Sequence, residues 1–248
     1  MAQAQTPNPT AAMVVIGDEI LSGRTRDSNL HHLAKELTLH GITLAEARVI
    51  GDVPELIAET VRKLSETYTY VFTSGGIGPT HDDITADSVA AAFGVPIDVR
   101  DDARAILESH YAVTKFELNA ARLRMARIPD GATLIVNPVS GAPGFSLQNV
   151  HVMAGVPRIF EAMLDGLLPG LAKGNPVLSR HITVSLPEGE VAATLGAFAE
   201  RYSDLSFGSY PMFDKMGHRV NLVVRGTDGD RVARAITELA DALGVALA

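Results

Sequence analysis

The chain has 248 residues, 46% hydrophobic and 20% charged, with 21 Lys and Arg against 29 Asp and Glu for a formal charge of −8. This is a globular composition, with room for one large domain or an ordinary domain plus a small one. The absence of cysteine excludes thiolate catalysis, Cys-ligated zinc, iron–sulfur clusters and disulfide staples.

A net negative charge gives no electrostatic reason to expect a nucleic-acid partner, and no apolar run reaches the roughly 20 residues of a membrane helix. The first ten residues lack the positive charge and apolar stretch of a secretory signal. A cytoplasmic protein without nucleic-acid or membrane partners is therefore the expectation.

Residues 1–10 are polar and proline-containing and read as a disordered tail. From Ala11 onward, short apolar runs alternate with longer segments of helical period, the pattern of a parallel sheet covered by helices. Residues 13–16 predict a buried strand. Leu30, Leu33, Ala34 and Leu37 share one helical face, with Gly41 as the stop, and 42–50 is the next strand. Asp52, Pro54 and Glu55 mark a helix start ahead of the stripe Leu56, Ile57, Thr60, Val61 and Leu64. A third strand at 68–73 runs into Ser74-Gly75-Gly76-Ile77-Gly78-Pro79-Thr80-His81-Asp82-Asp83, and 85–93 predicts a helix closed by Gly94 and Pro96. Helices at 101–111 and 116–127, a turn at 129–131, strands at 133–136 and 150–153, and a helix at 157–168 complete the first domain.

Pro169-Gly170, Lys173-Gly174 and Pro176 interrupt this pattern, which places domains at 11–172 and 176–248. In the second, strands are predicted at 181–185, 206–210 and 219–224 and helices at 189–202 and 230–243, a small two-layer α+β unit.

Ligands of an open parallel sheet bind at the carboxyl ends of its strands, where helix N-termini present free N–H groups. Gly17-Asp18-Glu19, Gly51-Asp52, residues 74–83, residues 137–145 and Gly155-Val156-Pro157 all follow predicted strands. Three glycines in 74–83 remove the Cβ atoms that would block a phosphate or planar ring from the main chain. Asp82 and Asp83 beside an anionic ligand call for an intervening hard cation such as Mg²⁺. Each feature has a plainer alternative. The glycine loop can be a tight turn, Asp82 or Asp83 a helix cap, Asp52-x-x-Glu55 a capping box, and Asp18 and Glu19 solvated turn residues. Their common location at one sheet edge favours a single site. His31 and His32 are adjacent on a helix and point apart, as surface residues do. His81 reads as a loop histidine or a phosphate donor, and Arg122, Arg124 and Arg127 as phosphate contacts or a solvated helix face. The nucleophile-elbow, Walker and His-Glu-x-x-His motifs are absent.

Taken together, residues 16–23, Gly51-Asp52, Gly75 to Thr85, Asn137, Ala142-Pro143-Gly144-Phe145 and Gly155-Val156-Pro157 resemble the competence/damage-inducible protein A (CinA) family. The N-terminal domain of that family belongs to the molybdopterin-binding, MoaB/MogA-like superfamily. The resemblance covers nearly all of residues 11–170, and Phe207-Gly208-Ser209-Tyr210-Pro211 is similar to the family's small second domain. The amidohydrolase domain of full-length relatives does not follow, so deamidation of nicotinamide mononucleotide is not expected.

The resemblance implies an α/β fold, a three-layer, mostly parallel sheet with a second, smaller α+β domain. It also implies a nucleotide or pterin ligand carrying phosphate. Acids matching Asp52 and Asp83 support Mg²⁺-dependent adenylyl transfer in the molybdopterin-binding relatives. The CinA-type scaffold is associated with metal-dependent pyrophosphate hydrolysis of ADP-ribose, and a related domain acts on FAD. The leading expectation is a metal-dependent nucleotide pyrophosphatase. Asp52 and Asp83 are its expected catalytic residues, and Asp52, Asp82 and Asp83 its ligands to a divalent ion (Mg, Mn or Co). Gly17, Ser74, Gly75, Gly76, Gly78, Pro79, Thr80, Asn137, Ala142, Pro143, Gly144 and Gly155 are expected around the ligand. The alternatives are a molybdopterin-binding protein or adenylyltransferase, and a non-catalytic binding module. Many CinA proteins carry Ser-Glu-Met where this chain has Arg158-Ile159-Phe160, a departure that bears on substrate more than on fold. A homo-oligomer is expected, as relatives are often dimers or trimers.

Overall fold

Six buried residues in a row, 11–16, form a strand covered on both faces, as a central parallel strand requires. The computed structural model describes the backbone of residues 7–214 and 217–245. It divides into two units, Met1–Gly174 and Asn175–Ala248. In chain order the first unit begins with β1 (Thr10–Ile16), α1 (Asp18–Leu21), α2 (Asn29–Leu39), β2 (Thr43–Ile50), α3 (Pro54–Thr67), β3 (Tyr70–Ser74) and α4 (Thr85–Phe93). It continues through β4 (Ile97–Val99), α5 (Asp101–Ala112), α6 (Ala120–Leu123), β5 (Arg127–Pro129), β6 (Thr133–Ile135), β7 (Gly144–Leu147), β8 (Val150–Met153) and α7 (Pro157–Leu167). The second unit holds β9 (Leu178–Val184), α8 (Glu188–Arg201), β10 (Ser206–Asp214), β11 (Gly217–Gly226) and α9 (Gly229–Ala242).

The main sheet has the order β2-β1-β3-β8-β7-β6. The pairings of β1 with β2 and β3, and of β3 with β8, are parallel, while β7 and β6 add an antiparallel edge. Alternation along the strands feeds two cores. Val14, Ile16, Val71 and Val152 face Ile57, Val61 and Leu64 of α3 and Val89 of α4. Met13, Val15, Phe72 and Met153 face Leu33 and Leu37 of α2 and Phe160 and Met163 of α7. The result is the expected three-layer, mostly parallel α/β architecture. In the second unit β10-β11-β9 form an antiparallel sheet, and Ile182, Val184, Leu222 and Val224 pack with Val232, Ile236 and Leu239 of α9. Among the described residues no helix is long and apolar enough to cross a membrane.

Three expectations are corrected. The tail predicted over 1–10 gives way before its end, because Thr10 opens β1 and the Pro9 carbonyl already accepts from Thr43 N at 2.8 Å; residues 1–6 lie outside the described residues. The helix predicted over 116–127 shrinks to α6, with Asn119 Oδ1 capping it by accepting from Arg122 N at 3.0 Å. Residues 127–129 extend instead as β5 against β4, where Pro129 disfavours helical angles at Ile128. Strand β7 was not foreseen, since it starts at Gly144, where a Cβ would stand 2.3 Å from the Val152 carbonyl oxygen and only glycine lets the strands pair.

His151 sits inside this sheet. Its Nδ1 is 2.8 Å from Ser146 Oγ, its ring lies 5.2 Å from that of Phe72, and burial lowers its pKa from 6.5 to about 4. Burial in an apolar layer disfavours the imidazolium. The unfolded chain therefore takes up this proton below pH 6.5, whereas the fold resists until about 4. Stability is lost as pH falls through that interval, by about 3 kcal/mol for this group. Denaturant midpoints measured between pH 4 and 7 should show this loss in the wild type and a shallower one in His151→Phe; parallel curves would show that His151 is not held neutral.

Candidate active site

Because β1, β2, β3 and β8 are parallel, the loops leaving their carboxyl ends emerge at one edge of the sheet. Gly17 N donates to Ile50 O at 3.1 Å and Gly75 N to Met153 O at 3.2 Å, so the first residues past the strands are still tied to the sheet. The packing there leaves no room for side chains. Gly75 has φ +109°, and a Cβ on it would stand 2.2 Å from the Ile16 carbonyl oxygen. Gly76 has φ +69°, and its Cβ would stand 2.1 Å from Thr85 Oγ1. A Cβ on Gly155 would come 3.2 Å from the Gly75 Cα.

Around this crossing opens a cavity of about 480 Å³. The loop residues Gly75, Gly76, Gly78 and Pro79 form one wall together with Asp83. Asn137 and Ala142 come from the loop before β7, Gly155 from the loop after β8, and Glu19 and Thr25 from the segment after β1. Eight residues expected around a ligand or metal thus share one cavity: Gly75, Gly76, Gly78, Pro79, Asp83, Asn137, Ala142 and Gly155.

The others are placed differently, and of the three expected metal ligands only Asp83 lines this cavity, Asp52 and Asp82 lying outside its lining. Ser74 borders a neighbouring cavity of about 50 Å³. Pro143 lines a small one of about 20 Å³ with Gly76, Gly78 and Asp83. Gly17 lies beneath the Glu19 carboxylate, whose Oε2 would be 2.4 Å from a Cβ there. Gly144 is spent on strand pairing, and Thr80 is an exposed loop residue. Asn137 organises its own loop, accepting from Val139 N and Ser140 N at 3.0 and 3.1 Å and donating to Ala142 O at 2.8 Å.

The carboxylates are partly committed. Asp83 Oδ2 accepts from Thr80 N at 2.8 Å and Thr80 Oγ1 at 2.6 Å, closing the loop on itself without capping α4. Asp52 does not cap α3 either; its Oδ2 accepts from Asp18 N at 2.9 Å, at the start of α1. Desolvation raises the pKa of Asp52, and the negative charges of Asp18, Glu19 and Asp82 raise it further, against the Asp18 amide, which lowers it. These acids therefore share an electrostatic neighbourhood. Among the described residues no three carboxylates or imidazoles converge into a metal cage. His81 is fully exposed. Arg122 stacks over Tyr111 and Phe116, and Arg127 pairs with Asp87. Ile159, at the position where the sequence departs from many CinA proteins, lines the cavity, and sequence reasoning missed Asn29, which reads as an ordinary polar residue at a helix start.

A family model described as "Probable molybdopterin binding domain" matches residues 12–173. The chain belongs to this family. A second model, "FAD synthase, middle domain", matches residues 176–247. A CinA-like protein of Gemmatimonas aurantiaca is 34% identical over 222 residues, covering 84% of this chain and 52% of that protein. A protein named "Probable FAD synthase" from Caenorhabditis elegans is 31% identical over 259 residues, covering 94% of this chain and 50% of that one. The chain thus spans about half the length of these two relatives. The crystal structure of a CinA protein from Thermoplasma acidophilum, titled as of unknown function, is 32% identical. It superposes with a TM-score of 0.61 over 66% of this chain and 99% of that one. The CinA-type resemblance and the mixed α/β fold are thereby both supported.

The steric reading of the loop crossing is testable with two alanine substitutions. Gly23 also has positive φ (+72°) but no atom within 4 Å of its Cβ position, so Gly23→Ala should cost only the backbone strain, about 1 kcal/mol. Gly75→Ala adds collision with a main-chain oxygen and should cost about 3 kcal/mol or more in chemical denaturation. Equal losses would show that the crossing is not close-packed.

Proposed function

We propose that this chain is a metal-dependent nucleotide pyrophosphatase acting on a dinucleotide-type diphosphate such as ADP-ribose or FAD. The observation that carries this reading is the wall of the 480 Å³ cavity, where a glycine-rich main chain stands beside the carboxylates of Asp83 and Glu19. Unencumbered amides suit phosphate oxygens, but carboxylates repel them unless a cation stands between. Asp52, Asp82 and Asp83 offer the hard oxygen donors that Mg²⁺ or Mn²⁺ prefers. As the described residues supply no closed cage, the fit is to an ion held by one or two carboxylates and completed by ligand phosphate and water. Such an ion supplies neutralisation of phosphoryl charge and a lowered pKa for water.

The reaction adds a water oxygen to one phosphorus and releases the bridging oxygen with the other phosphate, giving AMP and a second phosphate ester. The loop amides hold the diphosphate. Asp83, fixed by Thr80, keeps one carboxylate oxygen outside that turn. Asp52 uses Oδ2 to accept from Asp18 N, which leaves Oδ1 to receive the proton of the attacking water. Its raised pKa makes it a better base than an ordinary Asp.

The match of residues 176–247 to an FAD synthase middle domain, and the C. elegans relative's name, support a flavin dinucleotide among the substrates. The description of the first family model supports a second reading, a phosphate-bearing pterin in the same cavity. Ile159 in the cavity wall favours a third, ligand binding without turnover, because many CinA relatives carry Glu there.

Purified protein incubated with ADP-ribose or FAD and Mg²⁺, Mn²⁺ or Co²⁺ should release AMP. Asp83→Asn should lower turnover by about 100-fold while changing affinity much less. No AMP under any condition, with ligand affinity retained, would leave a binding module and sink the enzymatic reading.

A further inference from the structure

Asn29, the first residue of α2, is buried, with 3% of its surface exposed. Its Nδ2 donates to Ser74 Oγ at 2.7 Å and to the Gly155 carbonyl oxygen at 2.8 Å. A carbonyl oxygen only accepts, so the amide end facing Gly155 must be the NH₂ group. Ser74 is the last residue of β3 and the root of the glycine loop; Gly155 leads the loop after β8 and packs against Gly75. One NH₂ group therefore joins three chain segments, across sequence separations of 45 and 126 residues. Asn29 Oδ1 has no partner among the described residues, so the hold on both loops runs through the nitrogen alone.

A loop carrying Gly75 and Gly76 at positive φ has intrinsic backbone freedom. Fixing it in one shape before a ligand arrives saves ordering entropy on binding. Asn29 borders the 50 Å³ cavity rather than the 480 Å³ one, so its influence on the larger cavity passes through Ser74 and Gly155. We infer that Asn29 is a positioning residue: its two donated hydrogen bonds set the root of the glycine loop and thereby the affinity of the main cavity for a nucleoside diphosphate. The ligand class rests on the proposed function; the effect on the loop does not.

Asn29→Asp and Asn29→Ala separate donation from mere shape. Asp keeps the outline of Asn but donates nothing and turns a carboxylate toward the Gly155 carbonyl; Ala leaves space and no charge. If Asn29 only fills volume, Asp behaves as the wild type. If it works by donating, Asp is at least as damaging as Ala. Hydrogen–deuterium exchange without ligand should show residues 74–80 and 154–157 exchanging about tenfold faster in both variants, with residues 11–16 unchanged. Titration with ADP-ribose and Mg²⁺ should show affinity about tenfold weaker in Asn29→Ala. Wild-type exchange in Asn29→Asp, or equal acceleration across the whole sheet in both variants, would overturn the inference. Failure of the wild type to bind ADP-ribose, AMP or FAD would overturn the pyrophosphatase reading instead, and the exchange rates would still decide the role of Asn29.

Discussion

The constraint on which the site depends is a steric one at the carboxyl end of β1. The Ile16 carbonyl oxygen stands where a Cβ of Gly75 would have to go, at 2.2 Å, and a Cβ on Gly155 would stand 3.2 Å from the Gly75 Cα. Parallel pairing of β1, β3 and β8 forces their outgoing loops into one space. Three main chains can meet there only if the residues at the crossing lack side chains and take backbone angles that other residues resist. The same nakedness leaves main-chain amides beside the cavity. Close packing of the fold and a backbone-lined cavity wall are thus two consequences of one glycine cluster.

Acidic residues add a second constraint, of opposite sense. The charges of Asp18, Glu19 and Asp82 act on Asp52 within a chain of net charge −8. Hydrogen bonds absorb part of the repulsion, with Asp52 Oδ2 capping α1 and Asp83 Oδ2 closing on Thr80. Burial first, and then these neighbouring charges, raise the pKa of Asp52. Burial and negative neighbours disfavour the ionised form of Asp52, and on the proposed reading a cation beside it and a phosphate on the glycine loop would offset one another's charge.

Much of this was legible in the sequence, for identifiable reasons. Strand β1 is apolar on both faces, and α3 and α4 carry clean helical stripes, so their periods leave little choice. The loops after these strands follow from chain topology, which is why eight expected residues meet in one cavity. The misreadings have local causes. Residues 116–127 carry helix formers, but pairing of β5 with β4 overrides propensity, and three-residue strands are too short to show a period. Asp52-x-x-Glu55 has the spacing of a capping box, yet tertiary structure presents Asp52 to the amide of Asp18, which no local pattern encodes. Asn29 was invisible for the same reason, since its partners lie 45 and 126 residues away.

The cavity wall is divided in character, and this bears on what can occupy it. Gly75, Gly76, Gly78, Asp83 and Glu19 contribute main chain and carboxylate, while Ile77, Met125, Val156 and Ile159 contribute apolar surface. A purely ionic ligand would leave the apolar side wet, and a purely aromatic one would leave the amides and acids unsatisfied. Under the proposed function, a ligand carrying both phosphate and a planar heterocycle would meet both demands, as nucleotides, flavins and pterins do alike. Ile159 belongs to the apolar part of that lining. An isoleucine there offers only dispersion and desolvation, so it rewards a flat face and gives no hydrogen bond by which to tell one heterocycle from another. Discrimination among such ligands then falls to the polar loop atoms around the rest of the wall, chiefly Ser140 and the residues that Asn137 holds in place.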